Sequence, residues 1–301
     1  MIDAPGIYTM DADSYHADPC PVPSLSSSVA KILVGQSPLH AWHAHSRLNP
    51  AYESEERADF DVGSGAHALL LEGADRMAVI DADSYRTKAA QEERDAARAD
   101  GRFPVLAKAY KDVQAMAGIA RTAIEACPDM PGLRLSDGKA EQVLAWTETV
   151  NGTVIWLRIR PDWYANDRSR MLDYKTSTDS EPTFFTRQMA RMGYHFQDAF
   201  YRRGARAVTG IEPQFVLAAQ EKEKPYAVTF HGCAPSLAAI ADDMVEMAIQ
   251  SWASCMASGK WPGYSPRIHY AEAASWQLAE HEERMIGIPY RVEDLHERKR
   301  A

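Results

Sequence analysis

Residues 160–176 read RPDWYANDRSRMLDYKT, and three groups in them draw attention: Asp162 behind a proline, and Asp173 two positions before Lys175. The D-x-K spacing is uninformative by itself, because charged residues make up about a quarter of a typical chain and the pattern arises about once by chance in one of this length. It recurs at SDGK, with Asp137 and Lys139. The surroundings separate the two. RMLDYKT has apolar flanks and reads as a strand, and period-two alternation puts Asp173 and Lys175 on one face, Leu172 and Tyr174 on the other. One face is chemical and the other is core. SDGK has glycine at its centre and no apolar flank, so it reads as a turn.

Upstream, AEQVLAWTETVNGTVIWLRIRPD (140–162) is β-branched and aromatic on both sides of Asn151-Gly152, a strong two-residue hairpin signal. With those two residues at the turn, Val150 pairs with Thr153, and counting outward along both strands places Glu141 opposite Asp162. Facing carboxylates, with Cβ atoms ~5 Å apart, repel unless a cation lies between them. A divalent metal resolves the conflict. A hard cation such as Mg²⁺ or Mn²⁺ accepts carboxylates, carbonyls and water, and Asp162, Asp173, Glu141 and the backbone carbonyl of Tyr174 offer such donors. Lys175 beside them can steady a hydroxide nucleophile or the charge developing on a phosphoryl oxygen. The plainer alternative is a surface hairpin laced with Asp–Lys salt bridges. Arg158 and Arg160 alternate about Ile159 on the face this register assigns to Asp162, suited to a phosphate or to a partner carboxylate.

The chain has 301 residues, 46% hydrophobic and 25% charged, enough for one large globular domain with decorations. No stretch approaches a membrane span, and the first residues have neither a basic nor an apolar leader region, so a cytoplasmic protein without membrane partners is expected. Cys20, Cys127, Cys233 and Cys255 are scattered and form no C-x-x-C pair, which argues against a zinc ribbon, a disulfide framework or an iron–sulfur cluster. A net charge of −9 speaks mildly against coating nucleic acid, though a local basic groove can coexist with an acidic exterior.

Residues 1–25 read as an extended N-terminal arm. A core domain follows over 26–263, with a charged, alanine-rich helical insertion at about 83–128 broken at DGRFP, and residues 264–301 form a polar extension without clear periodicity. PTFFTRQMARMGYHFQDAFYRRGARAV (182–208) has helical spacing, PQFVLAAQ and YAVTFHG suggest strands, and a long amphipathic helix ends at Gly259. The order of elements implies an α/β or α+β core with a mixed sheet. Within 182–208, Tyr194, Gln197 and Tyr201 share one stripe and Phe196 with Phe200 another. The Phe stripe is expected on the sheet, leaving the other toward the site.

The P-D then D-x-K string resembles the signature of the PD-(D/E)XK nuclease superfamily. GSGAH, with Gly63 and His67, and QDAFY, with Gln197 and Tyr201, resemble the G-x-x-x-H and Q-x-x-x-Y motifs of its RecB-type branch. With PGIY and SYH near the N-terminus, SPLHAWH, GAHALLLE, RIRPD, LDYKT and GYHFQDAFY, the chain is most similar to the nuclease domain of RecE-type exonucleases (exonuclease VIII), over roughly residues 5–260. The resemblance implies a mixed central sheet flanked by helices. It also implies a metal-dependent exonuclease degrading one strand of linear duplex DNA from the 5′ end, leaving 3′ single strands for recombination with a single-strand annealing protein in a bacterial or phage system. Carried across, His67 is a metal ligand, Glu141 an acidic site residue, Asp162 and Asp173 the main ligands and Lys175 the catalytic lysine. Gln197 and Tyr201 fall to the DNA; the helix stripe adds Tyr194, and the strand alternation adds Arg160 and Arg158. A homo-oligomeric ring, plausibly a tetramer, is implied. The rival readings are a Cas4-like or restriction-type nuclease and a DNA-end-binding scaffold on a degenerate nuclease fold. The segment RMIGIPYRVEDLHERKRA has no counterpart in the resemblance, and either docks a neighbouring subunit or recombination partner or is a tail.

Overall fold

The Asn151-Gly152 turn forms as read: both residues have positive φ, 48° and 79°, as a tight hairpin with right-twisted strands requires. It joins β6 (Val143–Val150) to β7 (Thr153–Ile159), paired from Val150 with Thr153 out to Leu144 with Ile159. The ladder breaks around Pro161 and then resumes in the same register, β5 (Gly138–Ala140) against β8 (Trp163–Ala165), with Ala140 opposite Trp163. One ribbon thus belongs to two sheets. This computed structural model describes residues 1–53 and 62–286.

The first sheet runs β1 (Gly6–Tyr8), β6, β7, β2 (Ser24–Ser26). The second runs β11 (Val228–His231), β10 (Gln214–Glu221), β9 (Arg170–Ser177), β8, β5. Strands β9 and β10 are parallel, with Asp173 beside Leu217, and a parallel pair needs a long crossover. Helices α7 (Pro182–Met192) and α8 (Tyr194–Thr209) supply it. A single helix is expected there from spacing; Gly193 instead takes a left-handed conformation, φ 67°, which caps α7 and re-aims α8.

The residues expected as an extended arm are packed. Besides β1 and β2 they form the short helix α1 (Ala12–His16), and Ile2, Tyr15 and Cys20 are buried. Asp18 fastens them: its carboxylate accepts from the Ser24 N–H at 2.8 Å and lies 3.1 Å from Arg158 Nη1 and 3.4 Å from His45 Nε2.

On one side of the sheets, α2 (Ser27–Gly35), α8 and α9 (Pro235–Ser258) share a core with Leu25, Trp146, Phe196, Phe200 and Trp252. Helix α3 (Pro38–His43) leans on α2 and α9. The Phe stripe of α8 therefore lies in the core, as its spacing implies. Across the second sheet, α4 (Val62–Leu71) and α6 (Ala107–Glu125) cover Leu172, Tyr174, Val216 and Ala218. Around them α5 (Lys88–Ala99) and a small parallel pair, β3 (Met77–Ile80) with β4 (Phe103–Leu106), complete the helical insertion. The DGRFP break itself holds the start of β4.

The chain divides into two compact units, Met1–Gly263 and Tyr264–Ala301. The second contains α10 (Ser275–Ile286), a helix with no buried residue where no periodic element is expected. Most of RMIGIPYRVEDLHERKRA, and most of the polar stretch NPAYESEERADFD, lie outside the described residues. Among the described residues no helix is long and apolar enough to cross a membrane. All four cysteines are free; Cys20, Cys127 and Cys255 are buried.

Candidate active site

The break in the ribbon is where the acidic groups gather. Glu141 sits between β5 and β6 with φ 57°, and its N–H donates to the Asp162 carbonyl at 3.2 Å. Left-handed backbone costs a residue with a Cβ about 1–2 kcal/mol, and such strain is characteristic of positions held for function. Asp162, released from the ladder by Pro161, accepts the Tyr174 N–H on Oδ2 at 2.8 Å. Glu141 and Asp162 stand opposite each other, as counted, but at the break they are joined by that one backbone bond instead of forming a ladder pair.

His67 reaches them from α4. Its Nε2 lies 3.2 Å from Asp162 Oδ2 and 3.9 Å from Glu141 Oε1, and one ligand atom from each of the three residues falls within 4.8 Å of the others. Gly63, one turn earlier, makes this approach possible, because a Cβ there would lie 2.6 Å from Thr176 Oγ1 of β9. The G-x-x-x-H spacing is therefore a packing device as well as a ligand position.

Asp173, fully buried, is turned toward α8. Gln197 Nε2 of α8 donates to its Oδ1 at 2.6 Å, and Lys175 Nζ lies 2.5 Å from its Oδ2. Both oxygens are engaged, so Asp173 stands outside the cluster of His67, Glu141 and Asp162 in this geometry. The Tyr194 ring lies 5.5 Å from Lys175 Nζ, and Tyr201 donates its hydroxyl to the Arg160 carbonyl at 3.2 Å. Gln197, Tyr194 and Tyr201 are all buried against the site's own groups, rather than presented on an open surface.

The two arginines part company. Arg160 Nη1 lies 2.8 Å from Glu141 Oε2, within the site. Arg158 is buried and bound to Asp18 and to the Ser24 carbonyl, far from the role of phosphate contact expected of it. The alternation that put both on the face of Asp162 ends where the ladder breaks, at Pro161.

Charge balance explains the protonation preferences. Burial opposes a charged His67, but the Asp162 and Glu141 carboxylates outweigh it and raise the imidazole to about 9. Burial and the Asp162 charge push Glu141 up to about 7, against Arg160. Asp162 is held below the usual carboxylate range: burial resists, and the charges of His67 and Lys175 prevail. Burial and the Asp162 charge raise Asp173, while Lys175, against its own burial, is held cationic by Asp173 and Asp162. Three acids are thus crowded together and tolerated through three cations and shared protons.

The donor set fits a hard divalent cation, with one imidazole nitrogen and carboxylate oxygens from three separate elements and protons standing where positive charge is needed. One further cation lies at the edge of this arrangement, Lys31 of α2, which feels the charges of Lys175 and Asp173. It belongs to no motif, and helical spacing alone carries no sign of it.

Among solved structures, one named "Putative exonuclease", from Eubacterium rectale, is 15% identical and covers 90% of this chain and 98% of its own, with a TM-score of 0.52. At that identity the likeness speaks for the fold alone. The structure of SSO0001 is 13% identical over 47% of this chain and 62% of its own, with a TM-score of 0.28, too low to inform the fold. No curated protein matches the chain. The model of the family described as "PDDEXK-like domain of unknown function (DUF3799)" matches residues 26–274, a range that includes the groups described above from His67 to Tyr201. By that match over most of its length, and in agreement with the mixed α/β fold, the chain belongs to the PDDEXK-like family DUF3799.

Proposed function

We propose that the protein is a divalent-metal-dependent deoxyribonuclease, an exonuclease that removes one strand of linear duplex DNA from the 5′ end. The observation that carries this reading is the convergence of His67, Glu141 and Asp162 within 4.8 Å, together with the buried Asp173 and its partly exposed partner Lys175. His67, Glu141 and Asp162 would hold Mg²⁺ or Mn²⁺; the Tyr174 carbonyl is a further donor, and Asp173 becomes one when an oxygen exchanges Gln197 or Lys175 for the cation. When bound, the cation supplies a more acidic water and neutralises charge on the phosphoryl oxygen.

The chain's own groups do the rest. Lys175 stays protonated next to Asp173, so it is no general base; its ammonium is a fixed donor for the charge that builds on the phosphoryl oxygens. Gln197 holds Asp173 in one orientation, and Arg160 does the same for Glu141. Tyr201 ties the Arg160 backbone to α8. The 5′ polarity, a homo-oligomeric ring of four chains around the duplex, and handover of the 3′ strand to a single-strand annealing protein follow from the RecE-type resemblance and belong to the same proposal.

Digestion of linear duplex labelled at either end, in Mg²⁺ or EDTA, beside a closed circle, tests it. Mg²⁺-dependent loss of the 5′ label from linear DNA alone is expected. Cutting of the circle would move the reading to an endonuclease, and end binding without cleavage to a scaffold.

A further inference from the structure

The side of the second sheet that carries Asp173 and Lys175 holds one more cation than the proposed chemistry uses. Lys31 is half-buried on α2 and makes no hydrogen bond or ion pair among the described residues. Its stem packs on Gly193, where a Cβ would lie 3.2 Å from Lys31 Cδ. The next residue is Tyr194, whose ring lies 5.5 Å from Lys175 Nζ. Two ammonium groups are gathered about the start of α8.

Asp173 does not neutralise Lys31, since its oxygens are committed to Gln197 and Lys175. Burial and the charge of Lys175 both lower the Lys31 pKa, against the pull of Asp173. Like charges brought together where water is partly excluded are unfavourable unless an anion joins them. The anion that the proposed substrate brings is its backbone phosphate, and a lysine ammonium, with three rotatable donors, suits it.

We propose that Lys31 is a substrate-binding residue that holds a backbone phosphodiester of the DNA strand beside Lys175, so that α2 and β9 grip the strand together. This rests on the nuclease reading. The lysine is kept for the substrate, at the expense of the DNA-free protein.

The test is steady-state digestion of linear duplex in Mg²⁺ over a salt series, with wild type, Lys31→Met and Lys31→Arg, and thermal melting of each without DNA. For Lys31→Met, KM is expected to rise about tenfold with kcat within about twofold, the loss of one charge-assisted contact. The plot of log kcat/KM against log salt should become shallower by about 0.9, one phosphate contact fewer. Its melting temperature should hold or rise, because a like-charge pair is relieved, and Lys31→Arg should restore KM and slope. If Lys31→Met does not fold, Lys31→Gln carries the same measurement. Unchanged KM and slope with normal wild-type cleavage overturns the role of Lys31 and leaves the nuclease reading standing. A lower melting temperature with unchanged slope marks a structural lysine and also overturns it. A wild type that does not cut removes the nuclease reading, and this inference with it.

Discussion

Lys175 and Asp173 were legible as a pair because strand alternation separates them from Leu172 and Tyr174, and the same alternation misplaced Arg158 by being carried past Pro161, where the ladder breaks. Lys175→Ala is expected to lower cleavage at least about 100-fold, as removal of a preorganised charge donor does, while a gel shift still shows DNA bound. Full digestion by that variant would remove Lys175 from the chemistry. Asp18 gives the second prediction at this scale. Its carboxyl, despite burial, is held below the usual range by His45 and Arg158. Asp18→Ala strands the buried Arg158 and should cost about 3–5 kcal/mol in urea unfolding at pH 7. A depressed folded pKa gives stability that is present above the unfolded value and lost as pH falls through the folded one. The stability gap between wild type and Asp18→Asn should therefore be constant above about pH 5 and close as the pH drops below the ordinary Asp value of 3.8. A gap that persists at the acid end, or that closes near neutrality, would contradict the assignment.

Among the elements, those with many residues were the readable ones. Strands β6 and β7 announce themselves through a turn with a fixed register, and α6 and α9 are long enough for their apolar stripes to show. The three-residue strands β1, β2, β5 and β8 carry too few positions for a period, and they exist because neighbours offer them an edge. The division of α7 from α8 rests on the backbone state of Gly193, to which side-chain periodicity is blind. The seating of α4 on β9 can be tested directly. Gly63→Ala should push α4 off β9, destabilise by about 1–3 kcal/mol and weaken Mn²⁺ binding by calorimetry, since His67 moves with its helix. Adding Thr176→Ala makes room for the new methyl, and recovery of Mn²⁺ affinity in the double variant is the expected result. Equal loss in both would mean that the Gly63 contact does not position His67.

For the whole molecule, every group of the proposed site belongs to the first unit, Met1–Gly263. Because Met1–Gly263 is a compact unit with its own core, a chain ended after Gly263 is expected to melt within about 3 °C of the full chain. A collapse of the transition would show that residues 264–301 support the fold. The groups assembled at the break in the ribbon come from α4, the β5–β6 junction, the start of β8, β9 and α8, and no two neighbouring elements hold a working set. Under the function proposed, a chain still emerging from the ribosome has no cutting centre until Gln197 has been made and α8 has docked on the sheet. A fragment left by proteolysis lacks one too. The cell that makes this protein is exposed to its chemistry only as fast as the entire domain folds.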